Sequence, residues 1–523
     1  MSSENQLKQL LGQQGMRRRE FMERAAALGV STALAGSLAG KAFAQAPSKG
    51  GHLKLGIDAA SATDSLDPAT YFANYMQVVG YQWGNPLVEL DVENQPIPEL
   101  AESWEPNEEA TEWRFMLRKG VQFSNGKELT AEDVVYSINH HRGENSKSGA
   151  QGYLQVIKDL KANGTHEVVV VLDSPNADVP YILSDYHLLI APDGTDFTNP
   201  VGTGPFIIES FEPGVRTLSK RNPNYWKEGR GHADSVETLA INDLTARTSA
   251  LQTGAVHWAN RLDPKTVDLL KRVPNMQVFD VPSAGHYVFP MRTDTPPFDN
   301  LDLRLAIKYG IDREDMVSKI LRGYGKIGND HPVPEFDPFY AADLPQRTYD
   351  PDKAKFHFDK SGVDGPITLH TSEAGFTGAV DAAALYAQHL AKAGITLTVQ
   401  REPADGYWSN VWMNKPFCAS YWGGRPTADL MLSVAYQSDA AWNDSFWKRE
   451  DFDKLLEQAR AELDTDRRKQ MYHDLQMMVH EDGGVVIPMF NNFLFGGAAT
   501  VEGFVPAPVL TGLRIAEQLY LTS

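Results

Sequence analysis

The chain has 523 residues, 49 Lys and Arg against 68 Asp and Glu, and a formal net charge of −19. With 42% apolar, 22% charged and 10% aromatic residues, it has a globular composition and the length for roughly two to four domains. These values exclude a mainly disordered, collagen-like or polytopic membrane chain, and the acidic balance disfavours binding to phosphate backbones.

In chain order, the first recognisable element is an address. Arg17-Arg18-Arg19-Glu20-Phe21-Met22 precedes an Ala/Gly-rich run from Ala25 to Gly40, and Ala42-Phe43-Ala44 follows. This is the charged region, apolar region and small-x-small cleavage site of an export signal. The apolar run is too short and too weakly hydrophobic to span a bilayer. Arg18 and Arg19 ahead of Phe21 resemble a twin-arginine signal, although Arg17 and Glu23 stand where that signal usually has a hydroxyl and a lysine. No cysteine follows the cleavage site, so no lipid anchor is expected there. Removing residues 1–44 takes away six basic and three acidic residues and leaves a net charge of −22. The single cysteine, Cys418, rules out an internal disulfide and any CxxC motif.

Further along, His52 to Ile57 alternates as a strand, and Glu167 to Leu172 is a β-branched run suited to a buried strand. Thr130-Ala131-Glu132-Asp133 reads as a capping box opening a helix, with Val134, Val135 and Ile138 as its apolar face. Gly202-Thr203-Gly204-Pro205 lacks the third glycine of a dinucleotide loop and reads as a tight turn before Phe206. Phe452 to His480 reads as one or two amphipathic helices whose buried stripe includes Leu455, Leu456, Ala459, Leu463, Met471, Leu475 and Met478. Mixed strands and helices throughout indicate α/β layers.

No catalytic constellation emerges. His480-Glu481 lacks the second histidine of a zinc protease, His140 and His141 point different ways on a helix, and no nucleophile elbow or P-loop occurs. Aromatics are abundant instead, and several stand beside Gly, Pro, Asn and Arg, where flat rings can line a pocket.

A family resemblance carries the reading further. Leu100-Ala101-Glu102-Ser103-Trp104-Glu105-Pro106, then Trp113-Arg114-Phe115-Met116-Leu117-Arg118-Lys119-Gly120-Val121-Gln122-Phe123, then Leu129 to Ser137, occur in order. With Val201 to Phe206, Arg221-Asn222-Pro223-Asn224-Tyr225-Trp226, Leu303 to Ile307 and Tyr349-Asp350-Pro351, they resemble the extracellular solute-binding family 5, whose members feed peptide, opine and nickel ABC importers. Most of these blocks read as structural. Trp104 and Trp113 are expected as packing anchors, Gly120 and Gly126 as turns around Phe123, and Arg247 as half of a structural ion pair.

The resemblance implies an α/β, two-lobed periplasmic-binding-protein fold, class II-like, with hinge-linked lobes and an extra domain inserted in the first. Residues 48–92, 196–287 and 488–523 would form lobe I, 93–195 the extra domain and 288–487 lobe II. The crossing strands would lie near 282–287 and 488–490. It further implies a monomeric periplasmic receptor, without cofactor or catalytic residue, that closes on a small solute and docks on an ABC importer's permease and ATPase complex.

Selectivity is expected in Tyr421-Trp422-Gly423-Gly424-Arg425-Pro426-Thr427-Ala428-Asp429. Peptide-binding relatives typically carry an aspartate three positions after this tryptophan, for the peptide's α-amino group. Here Arg425 takes that place, which suits a carboxylate or phosphate. Two alternatives stand beside this: Arg425 pairs outward with Asp429, or a shifted alignment makes Asp429 the family carboxylate. The ligand-binding set is expected to include Tyr71, His286, Tyr407, Trp408 and Trp422, with Arg425, Asp429, Trp442 and Asn443. The leading function is delivery of a peptide-like or opine-like, anionic solute. The competing functions are an exported hydrolase using paired carboxylates and a metal-chelate or haem scavenger with His286 or His331 near the cleft.

Overall fold

The structure, a computed structural model, describes residues 48–522 except 72, 144–145, 404–405 and 510–511. The export signal lies outside the described residues. Among them, no helix is long and apolar enough to cross a membrane.

Lobe I is built on a seven-stranded mixed sheet. Its order is Met276–Val281, Phe493–Ala498, Trp258–Ala259, His52–Ile57, Ser235–Ala240, Arg216–Arg221 and Phe206–Glu212. His52–Ile57 sits centrally and pairs in parallel with both neighbours, and Leu53, Leu55 and Ile57 are fully buried. The helix Asn74–Trp83 is buried from Tyr75 to Trp83, its polar Gln82 being satisfied by the Thr238 and Ser219 hydroxyls at 2.8 Å each. Gly202 and Gly204 form the turn before Phe206 by pressing against its end: a Cβ on Gly204 would stand 2.4 Å from the Trp83 carbonyl carbon. That close backbone approach, rather than a phosphate, is what these glycines serve.

The extra domain has its own core and its own antiparallel sheet, ordered Ala101–Pro106, Glu112–Leu117, Glu167–Leu172 and Ile157–Ala162. The helix Ala131–His140 packs on it, and Asp133 accepts from the Thr130 backbone N–H at 3.0 Å, completing the capping box. Trp113 anchors the sheet by donating its indole N–H to the Asn176 carbonyl at 3.0 Å. Gly120 and Gly126 both take positive φ, 76° and 86°, on either side of buried Phe123.

Lobe II carries an antiparallel sheet ordered Gly325–Ile327, Val485–Asn491, His286–Pro290 and Ser420–Trp422. Isolated bridges at Met291–Phe417 and His370–Cys418 link it to the parallel pair Ile367–Thr371 and Leu397–Arg401. The helices Glu450–Ala461 and Thr465–Asp482 cover one side. Two helices, not one, arise because the Asp464 side chain caps the second, accepting from the Arg467 N–H at 2.9 Å. Leu463 falls in the break and is exposed, so it does not belong to the buried stripe; Phe452, Tyr472 and Val479 do.

Both lobe-to-lobe connections run side by side. Met276–Val281 pairs with Phe493–Ala498 in lobe I, and the same two strands re-pair as His286–Pro290 and Val485–Asn491 in lobe II. Val485–Asn491, Pro488 to Phe490 included, lies in the lobe II sheet and Phe493 opens the lobe I strand, so the returning crossing comes at Asn492. Ser283 donates its hydroxyl to the Asn491 carbonyl at 2.7 Å, and Asn491 N–H reaches the Gly285 carbonyl at 3.0 Å. Arg247 makes no ion pair among the described residues. Its guanidinium is buried and donates to the carbonyls of Asn260, Ile241, Asn242 and Arg261, tying lobe I loops together.

Candidate functional site

The lobes touch across the cleft beside Arg425. The Asn94 amide donates to the Pro426 carbonyl at 2.6 Å, Ala177 N–H to the Arg460 carbonyl at 2.9 Å, and Arg468 meets Asp178 at 2.8 Å. Asn94, Ala177 and Asp178 precede and flank the extra domain's sheet, whereas Pro426, Arg460 and Arg468 belong to lobe II.

On the lobe II side, Ser420–Trp422 turns both alternating faces to use. Tyr421 is 49% exposed and meets Trp408 edge-on at 5.6 Å, while Trp422 is buried against Trp442 at 6.2 Å. Trp412 bridges the rest, 5.9 Å from Trp408 and 6.4 Å from Trp442. Trp408 and Trp442 are 41% and 48% exposed. These rings form one wall, three of its contacts edge-to-face, an arrangement aromatic quadrupoles favour, and the Trp422–Trp442 contact tilted. Behind the wall lies the buried carboxyl of Asp444, which accepts from the Trp412 indole at 3.0 Å. Burial pushes that carboxyl up to about 7.

Beyond the strand, Gly423 and Gly424 lead to half-buried Arg425, which bonds the Gly423 carbonyl at 3.1 Å. No carboxylate pairs with Arg425 among the described residues. Its charge acts instead on Tyr153 and Tyr186 across the cleft and on His286 at the hinge. Burial lifts both tyrosines and Arg425 offsets part of that; His286 is lowered to about 4, chiefly by burial, with Arg425 contributing. Opposite, Asp185 is held below the usual carboxylate range by His187 against the opposing cost of burial.

Asp429 is engaged elsewhere. Thr427 caps the helix Ala428–Ala435, which places Asp429 in the first turn, where both its oxygens accept from Arg460 at 3.2 and 3.1 Å. The outward Arg425–Asp429 pair is therefore absent from the structure.

The structure brings together Trp408, Trp422, Arg425 and Trp442, with His286 behind them at the hinge. It does not bring Tyr71 there: that hydroxyl donates to the Leu66 carbonyl at 2.8 Å and accepts from Trp83 at 3.0 Å inside lobe I. Tyr407 is also buried, donating to the Ala419 carbonyl at 2.7 Å, although its neighbour Trp408 is exposed. Asn443 stiffens the 440–447 loop by donating to the Trp447 carbonyl at 2.7 Å. His331 is buried within lobe II with neither ring nitrogen bonded. The sequence reading counted Trp412 among the abundant aromatics and Tyr421 within the selectivity segment without placing either in the ligand-binding set, and it missed Asp444, Tyr153 and Tyr186.

Among the described residues, no group of three or more His, Cys, Asp or Glu is gathered to hold a metal. A cavity of about 180 Å³ in lobe I, lined by Glu89, Arg230 and Arg514 among others, shares no lining residue with the aromatic wall.

A family model described as bacterial extracellular solute-binding proteins, family 5 Middle, matches residues 95–444. A probable D,D-dipeptide-binding periplasmic protein of Escherichia coli K12 is 27% identical over 488 residues, covering 87% of this chain and 90% of its own. An ABC transporter substrate-binding protein of Listeria monocytogenes superposes with TM-score 0.80 at 20% identity, covering 91% and 100% of the two chains. A periplasmic binding protein from A. tumefaciens R10, in complex with agropinic acid, superposes with TM-score 0.76 at 22% identity, covering 90% and 99%.

Proposed function

This chain belongs to the bacterial extracellular solute-binding proteins of family 5, and we propose that it closes around an anionic, peptide-like or opine-like solute. It is a substrate-binding receptor of an ABC importer and not an enzyme, the family being one of receptors. Such receptors work by hinge closure, which takes the ligand out of water and obliges each of its charges to meet a partner.

The observation that carries the anionic reading is that Arg425 reaches the cleft without a salt-bridge partner among the described residues, whereas Asp429 is held by Arg460 and Asp185 by His187, and Asp337, which lines the same small cavity as Arg425, accepts from the Phe339 N–H and is pushed up to about 7 by burial. A ligand ammonium would have to displace one of these bonds and sit near a guanidinium. A ligand carboxylate would complete Arg425 with a planar, two-donor match. The aromatic wall would cover the solute's apolar or planar part. Agropinic acid, held by one structural relative, fits an anionic solute; a dipeptide, named for another, would match Arg425 through its carboxylate but would also bring an ammonium to be accommodated.

Mass spectrometry of the solute retained by natively purified protein, followed by calorimetric titration, tests this reading. The expected solute carries a carboxylate or phosphate, and Arg425→Ala weakens its binding by roughly 2–5 kcal/mol, the cost of stranding one partner of a buried charge pair. Arg425→Lys recovers part of the loss, because an ammonium lacks the planar fork. A retained cation bound equally by wild type and Arg425→Ala refutes the anion site.

We take the mature receptor to be a monomer that starts near Gln45, carries no lipid anchor and leaves the cytoplasm by the twin-arginine route. Arg18→Lys with Arg19→Lys then leaves unprocessed precursor in the cytoplasm. Normal processing of the double variant would assign export to the general secretory route.

A further inference from the structure

We propose that Arg261 of lobe I is a second charged contact for the solute, which therefore carries two acidic groups, one met by each lobe. This rests on the cleft beside Arg425 being the solute site. Strand direction puts the two guanidiniums on facing edges. His52–Ile57 runs parallel to Ser235–Ala240 and to Trp258–Ala259. Met276–Val281 runs the same way, because it and Trp258–Ala259 are both antiparallel to Phe493–Ala498. All four carboxyl ends therefore open on one edge, and the chain leaves that edge at Val281 to enter lobe II. Arg261 stands on it, just past the end of Trp258–Ala259. In lobe II, His286–Pro290 starts at the hinge and Ser420–Trp422 runs back to it, with Trp422 opposite His286. Arg425 follows that strand, on the edge turned towards lobe I.

The loops beyond the carboxyl ends of parallel strands are where open α/β sheets hold ligands. Here those loops are built for fixed geometry. Ala59 and Arg261 both take positive φ, 60° and 47°, a conformation that non-glycine residues keep only where their surroundings over-determine it and that gathers at ligand sites. Buried Arg247 supplies that restraint through the carbonyls of Asn260 and Arg261 on one side and of Ile241 and Asn242 on the other. Asn242 in turn holds the backbone of Ala60 by two bonds, at 2.8 and 3.0 Å. Asp58 braces Arg261 itself. One carboxylate oxygen accepts from Arg261 Nη1 at 3.2 Å, and the other from the Asn260 and Asn74 amides at 2.7 and 3.4 Å. The Asp58 side chain is 11% exposed and that of Arg261 57%. Both oxygens of Asp58 are thus engaged, while Asp58 is the one partner of the Arg261 guanidinium among the described residues. Most of a planar five-donor fork is left for an acceptor, and the acceptor that matches it is a carboxylate or phosphate.

Calorimetric titration of the mature protein with glutarate, adipate, pimelate and N-acetyl-Ala-Glu, each beside its monomethyl ester, tests this. At least one diacid is expected to bind, and more tightly than its ester. Arg261→Gln, at an exposed side chain, removes that difference: the diacid weakens about 10- to 100-fold, the worth of one charge-assisted hydrogen bond, and the ester is little changed. Arg261→Lys recovers part of the loss. Binding of no diacid, equal binding of diacid and ester, or a diacid affinity untouched by Arg261→Gln overturns the proposal. An ester whose affinity still falls in Arg425→Ala leaves the anion site standing when Arg261 fails. An ester indifferent to Arg425→Ala strikes the anion site itself.

Discussion

Asp178 and Arg468 face each other across the cleft, and replacing Asp178 with Asn should shift the receptor towards its open form. Both side chains are nearly buried, at 1% and 9% exposure, with 2.8 Å between oxygen and guanidinium nitrogen. Burial raises the Asp178 carboxyl, and Arg468 counters that cost. Arg468 is further fixed by donating to the Ala459 carbonyl at 2.9 Å and by lying over the Phe339 ring, so it is presented rigidly to the incoming extra domain. The relevant comparison is closed against open, not folded against unfolded. On opening, water hydrates both charges, and because neither Asp178 oxygen accepts an aligned hydrogen bond the ion contact contributes at most what a charged hydrogen bond is worth net of hydration, about 1.5–3 kcal/mol. That corresponds to a change of roughly 10- to 100-fold in the closed-to-open ratio. The Asn94–Pro426 and Ala177–Arg460 bonds remain in the variant, so closure weakens without being lost.

Fluorescence energy transfer can read this in the ligand-free protein. Lys119→Cys in the extra domain and Lys454→Cys in lobe II give exposed labelling sites, and the native Cys418 is buried and unreactive to label. The expected result is a lower-transfer population that grows in Asp178→Asn, with solute affinity reduced in proportion to the closed fraction lost. Identical transfer distributions and identical affinity in the two proteins would refute the latch and leave the hinge as the sole determinant of closure.

What the sequence made legible is what depends on local pattern. The alternation of His52 to Ile57 and the β-branched run at Glu167 to Leu172 could bury only as strands, and Thr130 with Asp133 could begin only a helix. The site depends on partners far apart in the chain, and there local pattern misled in a regular way. Tyr71 stands among Asp67, Pro68, Ala73 and Asn74, which looks like a pocket rim. Those residues instead end and begin helices, and the tyrosine turns inward to serve Leu66 and Trp83. Arg425 and Asp429 have the four-residue spacing of a helical ion pair. The helix starts only at Ala428, however, so Arg425 precedes it and Asp429 faces Arg460 instead. Asp444 gave no local signal, because its partner is an indole supplied from 32 residues away, at Trp412.

Two further consequences concern stability. In Gly204→Ala the new Cβ meets backbone on every side, 2.4 Å from the Trp83 carbonyl carbon and 2.6 Å from the Gln82 oxygen. Neither atom can swing away, so the denaturant midpoint should fall by the equivalent of about 1–3 kcal/mol or more; an unchanged midpoint would contradict the tight-approach account. His331→Leu should act in the opposite sense, and only in acid. His331 is 1% exposed with no bond to either ring nitrogen, and burial lowers it to about 3, with His480 adding to the effect. The unfolded chain binds this proton near pH 6.5, where the native protein refuses it. Native stability is therefore lost as pH falls from about 6.5 towards 3, and the loss stops below that. At pH 5 the histidine has cost about 2 kcal/mol relative to pH 7.5, from roughly 1.5 pH units at about 1.4 kcal/mol each. Leu binds no proton and leaves no polar atom unpaired, so urea unfolding should show the variant gaining on wild type by that amount between the two pH values. If both proteins lose stability in parallel over this range, His331 is not neutral in the native state, and the acid sensitivity of lobe II must come from another group.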